Sequence, residues 1–251
     1  YIYYDFSTDE IQITPKLYDA IKARGQLIDY DVINFNSQTQ GSTPNAELDL
    51  KSMDLLVNGI ENISVSDSQN VQIYPKKSQI LMHKNRSFSF AGIVRVGLFT
   101  FKGEEFMFDY NNFKIVLENV VSLNLDYKTS KFDMYGRKVL SSVTSAFQDL
   151  KGDILIDKPD NKSGLKKNID YPIFNSTKTS YVYYDDSLIF GGVYKRDSFY
   201  FAVSPFKFKR LNGFEQKDMN FTGTLYSAGI LSPFEDTIKL RPDNSLGFVR
   251  K

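Results

Sequence analysis

The chain has 251 residues, 31 Lys+Arg against 30 Asp+Glu for a net charge of +1, no Cys, no Trp and one His. Without Cys there is no disulfide framework, thiolate metal site or cysteine nucleophile. With His83 alone there is no multi-histidine metal centre, and any Ser/His/Asp triad has to run through that residue. The balanced charge argues against a general nucleic-acid or anionic-membrane footprint, and no apolar run approaches the ~20 residues of a membrane-spanning helix.

Taken in chain order, the sequence opens on Tyr1-Ile2-Tyr3-Tyr4-Asp5-Phe6, which reads as strand. Residues 15–26 follow, with Pro15 near the start and Gly25 near the end, and this spacing predicts a helix. A polar loop is expected over 36–45. From there the dominant period is two. Leu48 and Leu50 share a face, Ile63 and Val65 alternate with serines, and Val71 and Ile73 flank Gln72. Further strands are expected at Phe88 and Phe90, over 93–101, at Phe106, Phe108 and Tyr110, at Phe113, Ile115 and Leu117, and over 122–127. Val143, Ala146, Phe147 and Leu150 fall at helical spacing and predict a second short helix over 139–150. Strand pattern returns at 154–156, 181–184 and 199–203.

Gly92, Gly103, Gly152 and Gly223 each follow an apolar residue by two positions. The expectation is strand ends at tight bends that need positive φ or have no room for a Cβ. The charged stretch 157–170 is expected to be a long surface loop, a soft boundary and the best candidate for mobility. Its Asp157, Asp160, Asn161 and Ser163 faintly resemble a calcium loop, but Pro159 sits where the third position needs an acid, so an Asp/Asn turn is the better reading.

Few constellations point to chemistry. His83 lies in Leu81-Met82-His83-Lys84 with no Gly-x-Ser-x-Gly motif, and a lone His of this kind reads as a surface or strand residue. Tyr183, Asp185, Asp186, Lys195 and Arg196 form the candidate binding site. A carboxylate pair there would serve glycoside hydrolysis only if held ~5–10 Å apart across a cleft, and a charged hairpin turn explains the same letters. Neither a P-loop nor a dinucleotide fingerprint is present. No catalytic residue, metal or cofactor is therefore expected, nor a nucleic-acid partner or a transmembrane helix.

Several strings carry a family resemblance. They include Tyr30-Asp31-Val32-Ile33, Val65-Ser66-Asp67-Ser68-Gln69-Asn70-Val71, Phe108-Asp109-Tyr110-Asn111-Asn112-Phe113, Ile156-Asp157-Lys158-Pro159, Tyr171-Pro172-Ile173-Phe174, Gly192-Val193-Tyr194-Lys195-Arg196-Asp197 and Leu246-Gly247-Phe248. As a set, across nearly the whole chain, they resemble uncharacterised, very large, repetitive, β-rich envelope or exported proteins of Bacteroidetes. The resemblance implies a parent polypeptide longer than this chain and a periplasmic, outer-membrane-associated or cell-surface location. It carries no catalytic motif.

The expected fold is all-β over 1–251 as one continuous segment of a larger protein. It is an elongated stack of short strands, β-helix or solenoid-like, with one or two short helices; an antiparallel sandwich or barrel pair is the alternative. The expected function is a non-enzymatic structural, scaffolding segment of a large bacterial cell-envelope protein. Its expected partners are other segments of the same polypeptide or other envelope proteins, docked along its surface or strand edges. The alternative is a carbohydrate-binding or carbohydrate-processing β domain.

Overall fold

The computed structural model describes residues 3–5, 10–12, 34–37, 46–143, 147–187 and 190–249. β1 (Tyr3–Asp5) and β2 (Glu10–Gln12) form a separate two-stranded ribbon. The main sheet begins with β3 (Asn34–Ser37), β4 (Ala46–Leu48), β5 (Leu55–Asn58), β6 (Ile60–Ser66), β7 (Val71–Pro75) and β8 (Gln79–Met82). Its middle is β9 (Phe88–Val96), β10 (Phe99–Asp109), β11 (Lys114–Phe132) and β12 (Lys138–Ser142). It ends with β13 (Phe147–Gln148), β14 (Leu150–Leu155), β15 (Ile173–Ser176), β16 (Ser180–Tyr183), β17 (Phe199–Val203), β18 (Lys207–Phe208), β19 (Asn220–Ser227), β20 (Phe234–Leu240) and β21 (Leu246–Gly247). Among the described residues the helical turns are four short 3-10 pieces and none is an α-helix.

Every named strand pair is antiparallel, and the fold is an open antiparallel sheet of many strands. Its trunk is β7–β9–β10–β11. At one end β6 carries β3, and β8 pairs with β9 and β5, with β4 beyond. At the other end β11 is long enough to hold two arms. One runs β14–β15–β18 and the other β13–β16–β17–β19–β20–β21. The elongated stack of rungs does not follow from these pairings, because most neighbours in sequence turn back on one another as hairpins. The alternation read from the sequence is what makes this possible: one face of each strand is apolar and must be covered.

The sheet covers itself by curling. Phe99 on β10 lies 6.0 Å from Phe208 on β18 and 4.9 Å from Phe214. Phe101 on the same strand lies 5.1 Å from Phe174 on β15. Phe147, Phe206 and Phe221 close the same cluster at 4.7–5.7 Å. Burying each such ring stabilises the fold by roughly 2–3 kcal/mol relative to leaving it in water, and edge-on ring pairs add to that.

The curl depends on glycines, but not where the sequence reading put them. Gly92, Gly103, Gly152 and Gly223 sit inside strands, not at strand ends. Their shared reason is lack of room. A Cβ on Gly103 would lie 2.2 Å from the Asn119 carbonyl oxygen, and Gly103 pairs directly with Gly92. Beside them the β10–β11 register slips, which bends the sheet.

The helix expected over 15–26 lies outside the described residues. The helix expected over 139–150 is corrected: this stretch holds β12, β13 and the start of β14, with 144–146 outside the described residues. Four apolar residues at helical spacing are outweighed by the open edge of β11, onto which both flanking segments pair. The 157–170 stretch has no strand, as expected, but it is pinned. Asp157 and Asn161 are buried, and Asn161 Nδ2 donates to the Asp157 carboxylate at 2.9 Å. Donors fill that carboxylate, so the calcium-loop likeness has no structural basis, and among the described residues no acidic or histidine cluster is suited to a metal.

Candidate functional site

β16 turns Tyr181 and Tyr183 to the outer face because Val182 between them is fully buried. Tyr183 pairs with Tyr200 on β17, and Tyr200 with Tyr226 on β19, so the three rings form a row across the sheet. Tyr200 and Tyr226 stack at 4.8 Å, and Tyr181 stacks on Tyr183 at 6.0 Å. The Arg196 guanidinium sits over the Tyr183 ring, 4.4 Å from its centroid. The same guanidinium donates through Nε to Asp185 and through Nη1 to Gln148, each at 2.8 Å. Three tyrosines (181, 183 and 200) with Lys195, Arg196 and Asp197 border an open depression of about 550 Å³.

Of the five residues expected at this site, the structure gathers Tyr183, Asp185, Lys195 and Arg196; Asp186 is exposed and does not border the depression. Arg196 holds the Asp185 carboxyl below its ordinary value, chiefly by its hydrogen bond. A general acid needs the opposite shift. Burial, then Asp149, pushes the Tyr183 phenol up. Tyr184 faces inward: burial pushes it up to about 12, and its hydroxyl donates to the Leu246 carbonyl at 3.3 Å. Sequence reasoning missed Tyr200 and Tyr226. Their signal was an outward ring inside an alternating run, as in Phe199-Tyr200-Phe201, and only strand register shows that the rings meet.

A second exposed feature is the β11–β12 hairpin. β11 runs on past the sheet, and residues 131–140 are exposed apart from half-buried Asp133. Phe132, Met134, Tyr135, Val139 and Leu140 are 39–87% exposed. The turn is nonetheless well built. Asp133 accepts from the backbone N–H groups of Tyr135 and Arg137 at 2.8 and 2.9 Å and pairs with the Arg137 side chain. Beside the turn, where Lys138 pairs with Phe132, Lys138 and Lys217 each reach Glu215 at 2.9 Å, and together they pull its carboxyl down to about 2. Among the described residues β12 pairs only with β11, so its other edge is open.

His83 is not a bystander on a strand. Its Nδ1 lies 3.0 Å from Asp54 Oδ1 and its Nε2 lies 2.9 Å from Ser89 Oγ. Asp54 precedes β5, His83 follows β8 and Ser89 is on β9. The pairings β5–β8 and β8–β9 bring the three together.

No family model, no curated protein and no solved structure matches this chain.

Proposed function

We propose that the chain is a structural docking segment of a larger bacterial envelope protein, and that it takes up an extended strand of a neighbouring segment along β12. The observation that carries this is the hairpin. Five large apolar side chains stand in water on a hairpin whose second strand, among the described residues, pairs along one edge only. Single exposed apolar residues are ordinary, but a contiguous set at a free edge marks an interaction surface. The open edge specifies an occupant in extended conformation, added as a further strand. The Lys138–Glu215 ion pair beside the turn ties the hairpin to the rest of the fold and keeps it preformed, which lowers the ordering cost of docking. Such additions, repeated along a longer polypeptide, are also how the rod expected from the sequence would arise. The docking role asks for no chemistry of its own.

The test replaces Tyr135 with a photo-crosslinking amino acid in the native host. The expected result is one dominant adduct whose cross-linked peptide maps to an extended segment of an envelope polypeptide, lost in Leu140→Pro. Adducts scattered over unrelated proteins, or none, would overturn the reading.

A sugar-binding role is the second reading, and the tyrosine row favours it because its hydroxyls and Arg196 border an open depression. The rings, however, stack on one another, and this occupies faces that a sugar would use. Saturable binding on a glycan array, abolished by Tyr200→Ala, would establish it.

A further inference from the structure

We infer that Asp54, His83 and Ser89 form an acyl-transfer site, with Ser89 as nucleophile, directed at esters with an apolar acyl group. This goes beyond the docking role and lies where the start of β5, the end of β8 and β9 meet.

The proton positions follow from the partners. An ionised carboxylate only accepts, so His83 Nδ1 carries the hydrogen and donates to Asp54. In the neutral imidazole Nε2 is then the acceptor, and the Ser89 hydroxyl donates to it. This is the tautomer that a general base needs, with the nucleophile at hydrogen-bond distance on one side and an orienting carboxylate on the other. His83 and Asp54 side chains are 29% and 28% exposed, shielded yet reachable.

The serine opens into a suitable space. Phe88 and Phe90 are buried, so alternation turns Ser89 to the opposite, outer face of β9. There it, and not Asp54 or His83, borders a trough of about 540 Å³ whose walls include Leu56, Leu81, Ala91 and Met107 together with two lysines and three glutamates. A Lys76–Glu104 ion pair of 2.6 Å stands at the rim. The strand ladder also steps over Ala91. Phe90 pairs with Phe106, while Gly92 pairs with Gly103 and Pro75. Three steps on β10, from Gly103 to Phe106, face two on β9, so the extra residue of this bulge is on β10, and the interruption borders the same trough, where an oxyanion needs N–H donors.

The chemistry balances with water as the only co-reactant. Ser89 Oγ adds to the ester carbonyl carbon as its proton passes to His83 Nε2. The carbonyl–oxygen bond to the alcohol breaks, and the imidazolium returns the proton to the leaving oxygen. Water then adds to the acyl-serine, giving a proton to Nε2. The acyl–Oγ bond breaks, Ser89 recovers that proton and the carboxylic acid departs. Asp54 touches no reacting atom and acts as a positioning residue.

The test uses the 251-residue chain with a fluorophosphonate probe and p-nitrophenyl butyrate. Mass spectrometry should find one phosphonate adduct, on Ser89, and Ser89→Ala should remove both it and ester hydrolysis. His83→Gln should slow labelling by about 100-fold or more. Asp54→Asn should lower kcat by at least about tenfold with KM unchanged. Because the chain has no Cys, Ser89→Cys supplies a second readout: its alkylation by iodoacetamide should be faster than that of the Ser89→Cys/His83→Gln pair. Absence of a Ser89 adduct in the folded wild type, or equal reactivity with and without His83, would overturn the proposal.

Discussion

The Asp157 carboxylate accepts a 2.8 Å hydrogen bond from Gln69 Nε2, a residue 88 positions earlier in the chain. Asn161, Asn168 and the Lys158 backbone N–H donate to the same group. Asn161 in turn accepts from the Lys166 N–H and donates to its carbonyl. A strandless loop is thus clasped to the turn between β6 and β7 by one buried carboxylate. Asp157→Ala leaves several buried donors unmatched and should cost on the order of 3 kcal/mol. Urea denaturation measures this, and a midpoint equal to wild type would show that the clasp is not structural.

Two glycines should respond differently to the same substitution. At Gly103 a Cβ meets the Asn119 carbonyl oxygen, which belongs to rigid sheet backbone. Gly103→Ala should cost about 3 kcal/mol or more. At Gly136, in the hairpin turn, nothing lies within 4 Å and only the φ of +73° opposes a side chain. Gly136→Ala should cost about 1 kcal/mol. Paired thermal melts decide it, and equal losses would refute the steric account.

Lys138 and Lys217 lower the Glu215 carboxyl from 4.5 to about 2. The sign follows from linkage: a depressed carboxylate stabilises the state in which it is charged. The Glu215 ion pairs are at full strength above pH 4.5, weaken as the pH falls, and are lost below about 2. Carbon-detected NMR should place the Glu215 midpoint near 2. Replacing both lysines with Met should return it towards its ordinary value, and an unmoved midpoint would contradict this assignment.

Ring for ring, the inner and outer faces should differ in their weight for stability. Phe208 is buried among Phe99, Phe206, Phe214 and Phe221. Phe208→Ala should cost about 3–5 kcal/mol. Tyr200 sits on the outer face, and Tyr200→Ala should stay within about 1 kcal/mol of wild type. Chemical denaturation of both compares them. A Tyr200 loss matching that of Phe208 would make the tyrosine row a second core.

Much of the β content was legible in the chain because side-chain period is a local property. Ile63, Val65, Val71 and Ile73 were each read as the apolar positions of an alternating strand, and each is buried. For Gly103 and Gly152 the no-room half of the reading holds, but inside strands and not at their ends, because the closest crowding atoms belong to neighbouring strands. The candidate site was legible in part: Arg196 does meet Tyr183 and Asp185, because they are close in sequence across one β16–β17 connection.

The tertiary structure alone decided what distant strands bring together. Letters do not fix which edge a strand chooses, and pairing energy depends on the neighbour presented. The long β11 therefore drew residues 138–142, 147–148 and 150 into strands, over the 139–150 stretch where helical spacing was read. Asp54 and Ser89 lie 29 and 6 residues from His83, and no motif joins them. Only the β5–β8–β9 register sets a carboxylate and a hydroxyl on the two nitrogens of the chain's one imidazole.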